Sequence, residues 1–196
     1  MRKNSAKVKV TRKREILTYS ELWHASQCVL SAGQQNPKGC SWQFLSSVML
    51  TAFALEAYLN HVGPRVLQCW DGLEKLSPLG KLDLLCEILG VVFPKDKRPR
   101  NTLNELIKFR NSLAHGQTET ISPKATLHDA NDDVQTFFES RLLTKWEDKI
   151  QNPIFALRVR EDVKEVLEKV HAKIPNPKEF LFTFGLTEGG ASLIHD

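Results

Sequence analysis

The 196-residue sequence predicts an all-α protein, an up-and-down bundle of five to six helices with an irregular C-terminal tail. Three observations predict this fold class. Apolar residues recur at the three- and four-residue spacing of amphipathic helices along most of the chain. Capping and stop residues bracket these segments. The period-two alternation that is typical of strands is almost absent, so a helical bundle is the expected architecture.

The first two helices are expected at about 18–32 and 41–62, separated by the loop sequence GQQNPKG. Gly63 and Pro64 are predicted to close the second helix, because proline disrupts a helix interior. This helix carries one charged residue, Glu56, on a strongly apolar side. Its several polar side chains argue against a membrane span. We therefore expect a central, nearly buried bundle helix.

Clear capping signals mark the third and fourth helices. Ser77 is an N-cap residue followed by Pro78 at the first helical position, and Gly90 is the expected end of helix three. Helix four is expected over about 102–115, with Gly116 as its C-terminal stop.

The last part of the chain is expected to hold shorter helices near 133–150 and 153–173. The tail, 174–196, opens with prolines and ends in a glycine-rich segment. Its three alternating phenylalanines resemble a short strand that docks on the body or on a partner chain: Phe180, Phe182 and Phe184. A tail packed loosely on its own domain is the alternative.

Charge is concentrated at the N-terminus. Residues 1–14 carry seven Lys or Arg and no acid, so the remainder has 20 basic against 23 acidic residues and a formal charge of −3. We expect 1–14 to be a flexible arm, either merely solvated or binding RNA or DNA phosphates non-specifically. The helical domain then spans 15–173.

Cysteine usage and the N-terminal sequence indicate a cytoplasmic protein. The four cysteines lie far apart without a CxxC pair, which favours reduced thiols over a disulfide framework. No apolar segment follows the basic start, as a secretory signal would require. The histidines form no metal-binding pattern, and no phosphate-binding glycine loop is present, so neither a metal nor a cofactor is expected.

Two charged residues occupy apolar helix faces. In helix four, Arg110 lies within the stripe formed by Leu103, Leu106 and Leu113, just as Glu56 does in helix two. A buried guanidinium without a partner costs several kcal/mol, roughly, even after relaxation. We therefore predict that Arg110 and Glu56 face each other, either as a structural ion pair or as part of a functional site.

The residues next to Arg110 favour a functional site. Asn111 and His115 are four positions apart and share one flank of the helix. His115 lies at the helix end, where a histidine also complements the helix dipole without any catalytic role. Together the three side chains offer a permanent cation, an amide and an imidazole at one rim.

The segment FRNSLAHG resembles the signature of HEPN (higher eukaryotes and prokaryotes nucleotide-binding) domains, an Arg with a following polar residue and a His four to six residues on. Arg110, Asn111 and His115 match this pattern, and the apolar helix bearing Glu56 is similar to that of bacterial HEPN proteins. The resemblance covers roughly 15–120. It implies an all-α bundle that dimerises, with the motifs of both subunits meeting in one cleft.

The resemblance further implies a metal-independent endoribonuclease, acting as a toxin or in phage defence. Its implied partners are RNA, a second copy of the chain, and an antitoxin or nucleotidyltransferase. In this role His115 transfers protons, Arg110 binds the developing phosphate charge, Asn111 orients His115 or binds phosphate, and Glu56 supports Arg110. Five further basic residues are candidate RNA contacts: Lys95, Lys97, Arg98, Arg100 and Lys108.

Two other functions remain open on the residues alone. The first is a non-catalytic module of the same fold that binds RNA, a nucleotide or an antitoxin. The second is a helical structural protein in which Glu56 and Arg110 only join two helices.

Overall fold

A computed structural model describes residues 7–36, 38–73, 75–122, 141–177 and 180–194. These residues form a helical bundle with one small two-stranded sheet, which confirms the all-α bundle. The elements in chain order are β1 (Lys7–Arg14), α1 (Thr18–Gln35), α2 (Ser41–Val66), a 3-10 turn (Trp70–Leu73), α3 (Pro78–Leu89), α4 (Arg100–Ala114), α5 (Lys145–Lys149), α6 (Ile154–His171) and β2 (Thr187–Ile194). The helix expected near 133–150 lies partly outside the described residues.

Helix α2 is the centre of the bundle and contacts α1, α3, α4 and α6. Leu55, Tyr58, Leu59 and Val62 on its inner face have no solvent exposure. Its outer stripe stays accessible, with Phe53 39% exposed. The central position predicted for this helix is confirmed. Within the described part of the chain, no helix combines the length and the apolar character needed to cross a bilayer.

The predicted end of α2 is wrong, because the helix continues through Gly63 and Pro64 to Val66. Proline in the last turn removes one intrahelical donor, and the next turn still closes with the Leu67 amide donating to the Gly63 carbonyl. Gly63 is required for packing, since a Cβ there would lie 2.2 Å from Cε2 of Trp70. Gly63 therefore leaves room for the indole of Trp70, and the Gly-Pro pair does not stop the helix.

The ends of α3 and α4 differ in how they are made. Ser77 accepts a hydrogen bond from the Gly80 amide, and Gly90 adopts the left-handed conformation at φ 67°, so both predicted caps of α3 are confirmed. Helix α4 ends at Ala114 with His115 as its C-cap at φ −116°. Gly116 follows without a positive φ, so the helix ends at the predicted place without a left-handed glycine.

The N-terminal and C-terminal segments form an antiparallel ribbon, with Lys7 opposite Ile194 and Arg14 opposite Thr187. The expectation of a flexible arm is therefore wrong for 7–14, and 1–6 lie outside the described residues. The tail is also not irregular throughout, because its last described segment is β2. Conversely, the strand expected around Phe182 is absent, since Phe182 has a left-handed φ of 65°.

The segment before β2 docks on α1 through aromatic rings. Trp23 stacks on Phe182 with ring centroids 4.5 Å apart, and the Arg160 guanidinium carbon lies 4.0 Å from the centroid of the Trp23 ring. Arg160 also donates a hydrogen bond to the Trp23 carbonyl at 3.1 Å. Burial lowers the Arg160 pKa to about 10. The contacts of Trp23 with Phe182 and with the buried Arg160 thus hold the tail against the bundle.

Candidate active site

The predicted contact between α2 and α4 is present. Nη2 of Arg110 donates to Oε2 of Glu56 at 3.1 Å. The two side chains are 25% and 27% exposed, so the pair is only partly buried. Both stripes reach the bundle surface here, and water solvates the pair in part. An ion pair in this setting stabilises a fold by only about 0–1 kcal/mol.

Arg110 is also held by Phe53 and Asn111. Its Nη1 donates to Oδ1 of Asn111 at 2.9 Å, and its guanidinium carbon lies 5.8 Å from the centroid of the Phe53 ring. A guanidinium has five N–H donors, so the hydrogen bonds of Arg110 to Glu56 and to Asn111 leave further N–H groups for a ligand. The result is an oriented cation on an accessible surface.

His115 lies one turn beyond Asn111, at the end of α4. Its backbone amide donates to the Asn111 carbonyl at 3.0 Å, and its side chain is exposed. Among the described residues the imidazole makes no hydrogen bond or ion pair, so it is open to an incoming ligand. The structure thus joins Glu56, Arg110 and Asn111 directly, and places His115 on the flank of α4 that Asn111 occupies.

Two of the five basic residues predicted to bind RNA are engaged within the chain. Arg98 donates to Asp162 at 2.7 Å and 2.8 Å and to Glu161 at 2.6 Å. Arg100 is 8% exposed and pairs with Asp83. Both residues join helices, because α4 begins beside the carboxylates of α3 and α6. These contacts give both residues a structural role. An RNA contact of Arg98, which is exposed like Lys95 and Lys97, stays a prediction.

The Arg98–Asp162 contact changes the acidity of both groups. Burial acts to raise the Asp162 pKa, but hydrogen bonds from Arg98 and Thr102 and the charges of Arg98 and Arg158 outweigh it, so the pKa falls below its usual value. Hydrogen bonds to Asp162 and Glu161 raise the Arg98 pKa. The pair stays ionised across the physiological range.

Lys108 lines a surface groove of about 280 Å³ beside α5, with Trp146, Lys145 and Lys149 among its neighbours. Lys108 precedes His115 by seven residues, so both lie along one line of α4. Sequence reasoning missed Lys145 and Trp146. The signal available for them was a basic residue next to an aromatic residue within a Thr-x-x-Glu capping pattern, which Thr144 and Glu147 form.

The described residues hold no cluster of three or more His, Cys, Asp or Glu side chains that fits a metal ion. Cysteine nucleophiles are disfavoured at Cys86, where burial and then the Asp83 charge raise the thiol pKa to about 11. A thiol of this kind stays protonated and weakly nucleophilic near neutral pH.

No protein-family model, curated protein or solved structure matches this chain. An oriented guanidinium binds phosphate oxygens, and an exposed imidazole gives or accepts protons near neutral pH. At this site one copy of the chain offers the guanidinium of Arg110 and the imidazole of His115.

Proposed function

We propose that this protein is a metal-independent endoribonuclease of the HEPN type. The observation that carries the proposal is Arg110, held at an accessible surface by Glu56 and Asn111 with His115 open at the end of the same helix. RNA transesterification needs a cation that binds the phosphate and a group that transfers protons. A cytoplasmic setting suits its four free thiols.

The reaction uses the RNA's own nucleophile. A histidine base removes the proton of the 2′-OH, whose oxygen attacks the adjacent phosphorus, and Arg110 stabilises the charge on the non-bridging oxygens. The bond between phosphorus and the 5′-oxygen breaks, and a histidine acid protonates that leaving oxygen. The products are a 2′,3′-cyclic phosphate and a 5′-OH.

A second copy of the chain supplies the second imidazole in this proposal. Base and acid act on opposite sides of the phosphorus, and each copy places one His115 at the site. The resemblance to HEPN domains implies a two-fold dimer that brings the two motifs together. Toxin or phage-defence activity, with an antitoxin or nucleotidyltransferase partner, is the biological role consistent with it.

The direct test is cleavage of labelled RNA by the purified protein in EDTA. Wild type is expected to give fragments with cyclic phosphate and 5′-OH ends, identified by mass spectrometry. His115→Ala and Arg110→Ala are expected to lose activity by about 100-fold or more. Gln117→Ala, an exposed residue two positions past His115, serves as the matched control. Cleavage of 2′-O-methyl RNA, or full activity of His115→Ala, contradicts the mechanism.

A non-catalytic binding module is the second candidate, and the hydrogen bonds of Arg110 favour it. Nη1 and Nη2 each already donate to a neighbour within the chain, which is the arrangement of a fixed recognition arginine. Expression in a bacterial host separates the two functions. Toxicity that Arg110→Ala and His115→Ala both abolish supports the ribonuclease, whereas a harmless wild-type protein that binds RNA supports the module.

A further inference from the structure

The β1–β2 ribbon carries a concentrated positive charge on residues that are not part of the proposed active site. Five of the eight residues of β1 are Lys or Arg, and every residue of the strand is exposed. Strand alternation places Lys7, Lys9 and Lys13 on one face. On β2 the small residues Ser192 and Gly190 lie opposite Lys9 and Thr11, and Glu188 lies opposite Lys13.

Two solvent-exposed aromatic rings lie at the base of this ribbon. Phe180 is 86% exposed and Phe184 is 60% exposed. Both line a cavity of about 330 Å³, together with Leu17 and Leu186. Neither ring belongs to the buried core of the described residues, so both are accessible to a ligand at this cavity.

The basic face and the aromatic cavity are continuous. Glu15 and Leu186 line the aromatic cavity and also a neighbouring one of about 330 Å³ that includes Lys13. Two carboxylates, Glu15 and Glu188, lie at this inner end. These carboxylates offset the charge of Lys13. They lie farther from Lys9 and Lys7, toward the outer end of β1.

The aromatic cavity is held in a fixed position. Phe184 stacks on His24 with centroids 4.7 Å apart, and Nε2 of His24 contacts the Phe182 carbonyl at 2.9 Å. Gly185 lies so close to β1 that a Cβ would be 2.0 Å from the Glu15 carbonyl oxygen. The Glu15 amide also donates to the Leu186 carbonyl at 2.8 Å. A preformed surface of this kind loses little entropy when it binds.

We propose that the ribbon and its aromatic base bind single-stranded RNA, with the lysines of β1 contacting phosphates and the rings of Phe180 and Phe184 stacking on bases. Basic tracks combined with exposed aromatic rings are how proteins bind single strands without sequence preference. In a duplex the base faces are already stacked on each other, so these rings select the single strand. The choice of RNA rests on the proposed function.

The position of this surface also suits the proposed reaction. Glu15 and Leu17 line the aromatic cavity, while Ile16 and Thr18 line a second cavity of about 350 Å³ that reaches Asn60 of α2. Asn60 lies one helical turn from Glu56, the partner of Arg110. The lining of the two cavities thus runs from the aromatic base of the ribbon to the surface of α2 one turn from Glu56.

Binding is tested with the full chain and a fluorescent 2′-O-methyl oligouridine of about 20 nucleotides, which cannot be cleaved through its 2′-oxygen. Anisotropy gives Kd at several salt concentrations. The triple variant Lys7→Gln, Lys9→Gln, Lys13→Gln is expected to bind more weakly and to lower the slope of log Kd against log salt by about 2. The matched control is Lys38→Gln, Lys75→Gln, Lys164→Gln, which removes the same charge from exposed sites elsewhere.

The stacking of Phe180 and Phe184 on bases is tested with separate variants. Phe180→Leu with Phe184→Leu keeps apolar bulk and removes the flat rings, and it is expected to weaken binding roughly tenfold or more with an unchanged salt slope. Phe180→Trp with Phe184→Trp is expected to restore tight binding. Thermal melts that match wild type show that the fold is intact.

Three outcomes overturn the proposal. The first is equal weakening by the control and ribbon triple variants. The second is parental affinity in the leucine variant, and the third is stronger binding of duplex RNA or of an acidic peptide than of the single strand. Because the probe is not cleaved, a failure here leaves the cleavage assay standing, and a chain that never cuts RNA can still pass this test.

Discussion

A single arginine, Arg98, contacts one buried carboxylate and one exposed carboxylate. Asp162 is 2% exposed and Glu161 is 72% exposed, although they are neighbours in sequence. A hydrogen bond to a buried charge is worth more than one that water can replace. Substitution of Asp162 therefore measures the buried contact of Arg98, and the equivalent substitution of Glu161 is its control.

Asp162→Asn is expected to lower the free energy of unfolding by about 1–3 kcal/mol, because the buried side chain that accepts from Arg98 loses its charge and one of its two acceptor oxygens. Glu161→Gln is expected to change it by less than about 0.5 kcal/mol. Urea unfolding of both variants measures the difference. Equal losses in the two variants contradict the assignment of Asp162 as the structural partner.

The carboxyl group of Asp162 also predicts how the stability of the protein depends on pH. Its folded pKa lies below the usual value of 3.8. A carboxyl of this kind stabilises the fold fully above its unfolded pKa, and that contribution is lost as the pH falls through the folded pKa. The wild-type free energy of unfolding should therefore fall more steeply on acidification below about pH 5 than that of Asp162→Asn. Parallel curves would refute this.

At the proposed active site, the geometry of Arg110 predicts that lysine is a poor substitute. The guanidinium reaches Glu56 and Asn111 at once through separate nitrogens, which a single ammonium cannot reproduce in the same plane. Arg110→Lys is expected to lower single-turnover cleavage nearly as far as Arg110→Ala, about 100-fold. Parental cleavage by the lysine variant would mean that only charge is needed.

At the scale of elements, α2 shows how packing changes the meaning of a sequence signal. Gly63 and Pro64 are typical of a helix stop, yet the helix passes through both, and the Trp70 ring occupies the space that a Cβ at Gly63 would fill. Trp70 lies seven residues along the chain, so this packing is not visible in local propensity.

Gly63→Ala is therefore expected to destabilise the protein, by about 1–3 kcal/mol, although alanine favours helices. The added methyl group collides with the Trp70 ring. Gly72→Ala is the control, because a Cβ there meets nothing within 4 Å. Chemical denaturation compares the two variants, and a more stable Gly63→Ala protein would show that the ring moves away at little cost.

Local sequence signals predicted the helices and one long-range contact. The caps of α3 follow from Ser77 and Gly90, since the requirements of a cap lie within a few residues. The Glu56–Arg110 contact followed from charge on two apolar faces, but its degree of exposure did not, because exposure depends on which other helices cover the pair.

The ribbon could not be predicted in the same way. β1 has only Val8 and Val10 as an alternating apolar pair among its lysines and arginines, and β2 contains adjacent glycines. Neither strand has a local pattern that favours pairing, and Thr11 and its partner Gly190 are 179 positions apart. The pairing depends on the bundle bringing the two segments together.

At the scale of the whole molecule, the proposed composite site predicts how activity depends on subunit mixing. If each active unit needs two functional copies, an equal mixture of wild type and His115→Ala retains about one quarter of the activity of wild type alone at the same total concentration. Independent subunits retain about one half under the same conditions. Cleavage rates after co-refolding distinguish the two cases, and a linear decline contradicts the dimeric site.

The pairing of β1 with β2 also has a consequence for the order of folding. Closing a loop of this length costs conformational entropy that a two-stranded ribbon alone does not recover, so the helices must assemble first. Hydrogen exchange should then divide the molecule, with α2 amides exchanging only on global unfolding and ribbon amides through a local opening. Mutations that loosen the bundle will abolish the ribbon, whereas the ribbon can open and reclose while the helices stay folded.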